Sequence, residues 1–343
     1  MTKFVDQPFL AVATGVVFAT LSGIASAQSV SPSSSPSSSE VPLNETVATQ
    51  LISVTTLQQM LTISNALSAR TSALQAPPGA RADSGQRFGM AAGNAEKWNV
   101  WGALSGDDAK YDSSKFGPNV KFSANSTNTV LGADYALAPT LALGLSAGFD
   151  RVSGSGSLNG FGANYQTDGY TVAPYLGWQI NKLWSLDATI GWGSSDVNNV
   201  GVTTKADRFF YGTNLTYTNW YGNWQVTGKG SYLYGEEKYG TSTVNPAATK
   251  NKVDQWRLGA QAGYWMNGVM PYFGLAYSTD GRSTTNNGAQ ATDDLGKSAW
   301  LWSLGANIIS LKNSLTGGIA YSAESGRSHG KRDMLMANIN YRF

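Results

Sequence analysis

From Trp98 onward, apolar residues recur at every second position within a series of short segments. Leu141, Leu143, Leu145, Ala147 and Phe149 share one parity, as do Trp184, Leu186, Ala188, Ile190 and Trp192. The same holds for Trp256, Leu258, Ala260, Ala262 and Tyr264, and for Trp300, Trp302, Leu304, Ala306 and Ile308. A period of two is that of a strand with one apolar face. It predicts twelve strands, near 98–105, 126–137, 140–153, 166–180, 183–196, 207–221, 223–235, 252–266, 269–279, 297–310, 313–325 and 331–343. The last carries Leu335, Ala337, Ile339, Tyr341 and Phe343 on one face and Met336, Asn338, Asn340 and Arg342 on the other. Termini of soluble domains fray into water. A final strand with so apolar a face instead suits a closed barrel in lipid, where it seals against the first strand.

The links between these segments alternate in length. Ala138-Pro139, Asn181-Lys182, Gly222, Asn267-Gly268 and Lys312 mark tight turns, whereas the links near 105–125, 154–165, 197–206, 236–251, 280–296 and 326–330 are longer. Outer-membrane barrels have short periplasmic turns and longer external loops. Asp134, Asp150, Asp187, Lys229, Arg257 and Arg342 all fall on the polar parity. An Arg or Lys facing mid-bilayer costs up to about 2–4 kcal/mol, and these six, on one parity, are expected to line the lumen and pair there. Trp178, Trp184, Trp220, Tyr221, Trp224, Trp265 and Tyr272 lie near the short turns and suit a membrane interface. The fold expected over 97–343 is all-β: a 12-stranded antiparallel transmembrane β-barrel.

Upstream the period changes to that of a helix. Val47, Leu51, Val54, Leu57 and Leu61 recur at spacings of three and four, with Asn44 as a cap and Pro77-Pro78-Gly79 as a stop. Such a helix over 45–75 would be roughly 45 Å long. Between Glu45 and Arg70 it holds no charge, yet it is too rich in Thr, Ser and Gln to cross lipid. Three roles remain open for it: a plug in the pore, a coiled-coil arm, or a weakly ordered segment. Residues 76–96 read as a connector and the Ser/Pro-rich 28–44 as an extended linker. Residues 1–27 read as a signal peptide, with Lys3, an apolar stretch from Ala11 to Ile24, and cleavage after Ala25-Ser26-Ala27, between Ala27 and Gln28.

Composition agrees with a barrel. Only 13% of the 343 residues are charged, about half the roughly 25% of a globular chain. The mean hydropathy is −0.22 because alternating faces cancel. The absence of Cys excludes disulfides, thiolate metal sites and a cysteine nucleophile. A net charge of +2 gives no field for nucleic acid. The single histidine, His329, reads as a solvated loop residue. The acidic pairs Asp107-Asp108, Glu236-Glu237 and Asp293-Asp294 read as solvated loop charge, and 154–160 as a flexible Gly/Ser hairpin loop. No catalytic, cofactor or metal site is expected.

The barrel region resembles the autotransporter (type V secretion) β-domain family. The residues that carry the resemblance are Thr129–Leu137 with its Gly-x-Asp-Tyr core, Leu143–Phe149, Asp168-Gly169-Tyr170, Pro174–Trp178, Trp184–Ala188 and the closing Tyr341-Arg342-Phe343. The resemblance implies a helix in the pore and a passenger delivered to the surface of a Gram-negative bacterium. It also implies the barrel-assembly machinery as partner, with Tyr341 and Phe343 as an assembly signal. Residues 28–44 leave room for a minimal or absent passenger, and no Asn-Asn pair marks a cleavage site in the helix, so a translocator or surface-display role is expected. Outer-membrane lipid and lipopolysaccharide are the expected surroundings. Alternatives are an adhesin-like barrel that binds a host or surface ligand through its loops, and a small-solute porin.

Overall fold

The computed structural model describes residues 60–66, 97–113, 120–158, 161–199, 201–241, 249–286, 289–291, 296–310 and 314–343. The expected signal peptide, linker and connector, and the rest of the expected 45–75 helix, lie outside these residues. Within them runs one helix, α1 (residues 60–66), followed by β1 (Trp98–Ser113), β2 (Val120–Ala138), β3 (Leu141–Leu158), β4 (Phe161–Gln179), β5 (Trp184–Asn199), β6 (Val202–Tyr221), β7 (Trp224–Tyr239), β8 (Thr249–Tyr264), β9 (Val269–Asn286), β10 (Ala289–Ala291), β11 (Ser298–Ser310), β12 (Leu315–Ser325) and β13 (Gly330–Arg342). All pairings are antiparallel between sequence neighbours, except that β11 pairs with β9 and β13 with β1. The three-residue β10 only folds back on the end of β9, pairing antiparallel with Thr284–Asn286. The other strands are the twelve expected and they close into a barrel, which leaves no edge to satisfy in lipid.

The outer face is apolar. Leu258 is 72% exposed, and Leu143, Leu145, Phe149, Leu131 and Ile339 are exposed with it. At one end of the barrel the strands stop flush with this band. Cross-strand pairs Trp98–Tyr135, Trp184–Tyr217 and Trp224–Tyr264 ring it, with centroids 5.0–5.2 Å apart. A second ring, Tyr232–Trp256 and Tyr277–Trp300, lies further along the strands. Trp256 and Tyr264 are eight residues apart on β8, roughly 26 Å of strand before tilt, which matches the apolar height of an outer-membrane barrel.

At the flush end the turns are tight. Asn267 and Gly268 both have positive φ, 46° and 104°, as a two-residue type I′ hairpin requires. At the other end the expected long links are mostly taken up by strand, although the 326–330 link stands as expected between β12 and β13. The ladder continues well beyond the apolar band: β1 and β2 pair as far as Ser113↔Val120, and β3 and β4 as far as Leu158↔Phe161. There the outward face is polar too, so alternation disappears while pairing persists. The acidic pairs therefore stand in strands, Asp107-Asp108 in β1 and Glu236-Glu237 in β7, and Gly154–Leu158 belongs to β3. Asp293-Asp294 lies outside the described residues.

Candidate functional site

The lumen is occupied on one side. In α1, Met60, Leu61, Thr62, Ile63, Ser64 and Ala66 are all buried. A seven-residue helix buried all round has an enclosing wall. That wall is the inward face of the barrel: Trp101, Val130, Ala173, Tyr175, Phe210, Leu233 and Val253 form one apolar cluster with the helix. Inward glycines make the space. A Cβ at Gly235 would overlap Met60 Sδ, one at Gly148 would lie 3.2 Å from Ile63 Cδ1, and one at Gly212 would lie 3.5 Å from Ser64 Oγ. Arg257 Nη1 donates to Asn65 Oδ1 at 3.2 Å.

These contacts fix the direction of the helix. Met60 meets β7 at Gly235, Ser64 lies beside Gly212, whose partner on β7 is Leu233, and Asn65 meets Arg257, whose partner on β7 is Ser231. Because β7 runs from the flush end to the extended end, the N-terminal end of α1 points toward the extended end. Its C-terminal end points toward the flush end, where β1 begins at Trp98.

On the opposite side the inward residues are small or polar. Between α1 and strands β7–β9 and β11–β13 lies a cavity of about 250 Å³, lined by Asn65, Lys229, Arg257, Gln261, Ser303 and Asn338 among others.

The six charges expected in the lumen fall into three kinds of place. Asp134 is buried near the flush end and accepts from Asn99 Nδ2 at 3.0 Å and from Tyr175 Oη at 2.8 Å, while Tyr175 Oη accepts from Trp101 Nε1 at 2.6 Å. Asp187 accepts from Asn214 Nδ2 at 2.5 Å. Asp150 accepts from Arg208 Nη1 at 2.8 Å, and Arg208 Nη2 donates to Glu237 Oε1 at 3.1 Å. Lys229 and Arg257 line the cavity. Arg342 stands opposite Asn99, on the parity of the buried Asn340. Tyr341 and Phe343 face outward and stack at 5.9 Å. Ala27 and Gln28 lie outside the described residues.

Sequence reasoning missed the strongest charges. Arg208 and Glu237 are buried between β3, β6 and β7, and Glu237 also accepts from Tyr239 Oη and Ser195 Oγ. Nearer the extended end, Arg332 Nε donates to Asp107 Oδ1 at 2.7 Å. Arg327, in the turn between β12 and β13, donates to Asp280 Oδ2 at 2.7 Å and pairs with Glu324. Burial opposes the charge on Arg327, but Glu324 and Asp280 more than offset it and strengthen its hold on the proton. An Arg on the inward parity of a strand was the available signal. His329 sits in the same turn, where its carbonyl accepts from the Asp112 N–H at 3.0 Å.

A family model described as autotransporter beta-domain matches residues 100–322. Among solved structures, the transport unit of the autotransporter AIDA-I from Escherichia coli is similar with a TM-score of 0.59 and 14% identity, over 73% of this chain and 92% of that one. The translocator domain of the autotransporter NalP from Neisseria meningitidis gives 0.57 and 13%, over 82% and 96%. The β-domain of the Bordetella autotransporter BrkA gives 0.54 and 15%, over 72% and 100%. At these identities the likeness is one of fold. A search of the curated proteins finds no match.

Proposed function

Because this chain belongs to the autotransporter β-domain family of outer-membrane barrels, we propose that it works as a translocator or surface-display unit, threaded by its own N-terminal segment. The observation that carries this reading is the polarity of α1 in the lumen. The helix enters from the extended end and leaves toward the flush end, where β1 starts. In outer-membrane barrels the flush end, with its tight turns, is periplasmic and the projecting hairpins are external. Sequence upstream of residue 60 is thereby delivered to the cell surface. The inward wall on the side away from α1 supports such a path, since its mostly small and polar side chains leave a cavity beside the helix. Assembly through the barrel-assembly machinery belongs to the same reading.

The test is accessibility. An epitope inserted near Ser35 is expected to react with a membrane-impermeant label on intact cells. Labelling only after the outer membrane is permeabilised would overturn export and favour a porin.

A further inference from the structure

The extended rim of the barrel carries a basic recess that the export path does not use. It has a volume of about 700 Å³ and lies where β13, β1, β2 and β3 run side by side. That size falls within the range of small-ligand sites. Its lining includes Lys110, Lys121, Lys331, Arg327 and His329 against a single carboxylate among the described residues, Asp112. Arg327 is already committed to Asp280 and Glu324, so the three lysines set its chemistry.

The ladder register shows how they come together. Lys110 of β1 stands directly opposite Lys331 of β13. On its other side Lys110 faces Ser123, which faces Ser155, their Oγ atoms 3.3 Å apart. One step further out, Lys121 faces Asp112 on one side and Ser157 on the other. Like charges directly opposite each other destabilise a sheet. One row nearer the membrane the same conflict, Asp108 opposite Asp333, is relieved internally: Lys110 lies 3.3 Å from Asp108 and Tyr321 Oη donates to Asp333 at 2.8 Å. The lysine row is relieved only by that same Lys110–Asp108 pair. Lys121 and Lys331 take part in no ion pair among the described residues. The Lys110–Asp108 pair is mostly exposed, 70% and 46%, and such pairs are weak. An anion between the lysines would remove the conflict.

The height of the recess selects the anion. On β1 the outward residues Trp98, Val100 and Leu104 lie in the apolar band, and on β13 Tyr341, Ile339 and Leu335 do. Asp108 and Asp333 are the first outward charges, and Lys110 and Lys331 follow two residues later, roughly 6.6 Å along the strand. That is the depth of lipid headgroups. A phosphate ester offers up to about two negative charges and three acceptor oxygens, enough for three ammonium groups and the serine hydroxyls.

We propose that this recess binds the phosphate of a phosphorylated glycolipid of the outer leaflet, with Lys110, Lys121 and Lys331 as cationic contacts and Ser123, Ser155 and Ser157 as hydroxyl contacts. The site is independent of the threaded lumen, so a failure of surface labelling leaves it standing and the reverse also holds.

The experiment titrates the full chain, purified free of lipopolysaccharide, with bisphosphorylated lipid A, with dephosphorylated lipid A and with inorganic phosphate alone. Saturable binding of the bisphosphorylated form is expected, weakened roughly tenfold or more in the Lys110→Gln/Lys121→Gln/Lys331→Gln variant. Lys331→Gln alone should show a smaller loss, and Lys205→Gln/Lys252→Gln, exposed lysines on other strands, none. Heat-modifiable electrophoretic mobility checks that each variant is folded. Equal binding of the dephosphorylated lipid, or undiminished binding by the folded triple variant, would overturn the proposal. Inorganic phosphate binding as tightly as the lipid would also overturn it, by making the ligand a soluble anion.

Discussion

Arg208 is the residue on which the inner wall turns. Its side chain has no exposed surface, and it joins Asp150 of β3 to Glu237 of β7 across β6. A buried pair contributes little net stability when complete, because desolvation offsets attraction, but losing one partner costs about 3–5 kcal/mol. Arg208→Gln leaves two carboxylates facing each other without a cation. The temperature at which the folded, heat-modifiable band disappears should fall markedly. Adding Asp150→Asn should restore part of the loss, since one of the stranded charges is then gone. An unchanged transition in the single variant would mean that the lumen solvates these groups well enough to make the triad irrelevant. Asp150 was legible as an inward charge from parity alone. Its partner was not, because 58 positions separate them and nothing in a period of two says which strands lie within reach across an inner wall.

At the scale of elements, α1 and the glycines opposite it make a matched pair. A Cβ at Gly235 overlaps Met60 Sδ and comes within 3.3 Å of Val253 Cγ2. A methionine tip can swing aside for a methyl group, but not for a branched side chain with Phe210, Leu233 and Val253 packed around it. Gly235→Leu is therefore expected to displace α1 while leaving the strand ladder intact, and single-channel conductance in planar bilayers should rise. The companion Met60→Ala should lower the increase by giving the leucine room. No rise in conductance would mean that α1 does not limit the pore. The strands around the helix were readable from alternation, and so were the four tight turns that lie within the described residues, because lipid on one side and lumen on the other impose opposite polarity on successive residues; the turn expected at Lys312 lies outside them. That constraint ends at the headgroups. In β1 the run Gly106-Asp107-Asp108-Ala109-Lys110 is polar on its outward face as well, so a paired strand was indistinguishable from a loop. Asp107 looked solvated although it is buried against Arg332 and Ser126.

At the scale of the whole molecule, the barrel is a closed ring that must be sealed once, between β13 and β1. The register runs from Asn99↔Arg342 to Tyr111↔Gly330. At the flush end it is completed by reciprocal backbone bonds: the Trp98 N–H donates to the Phe343 carbonyl at 3.1 Å and the Phe343 N–H to the Trp98 carbonyl at 3.0 Å. The side chains of Phe343 and Tyr341 stack on the outer face, in the aromatic ring that also holds Trp98. Phe343 thus unites the backbone closure of the ring with its interfacial anchor. Deleting it removes both, whereas Ile339→Ala removes apolar contact alone from the same face. The deletion should lower the yield of membrane-inserted, heat-modifiable barrel far more than Ile339→Ala does, and Phe343→Ala, which keeps the backbone bonds, should fall between them. If the deletion and Ile339→Ala reduce insertion equally, closure does not depend on this residue. The seal is then carried by the thirteen register pairs from Asn99 to Tyr111, whose interior strands no terminal residue touches.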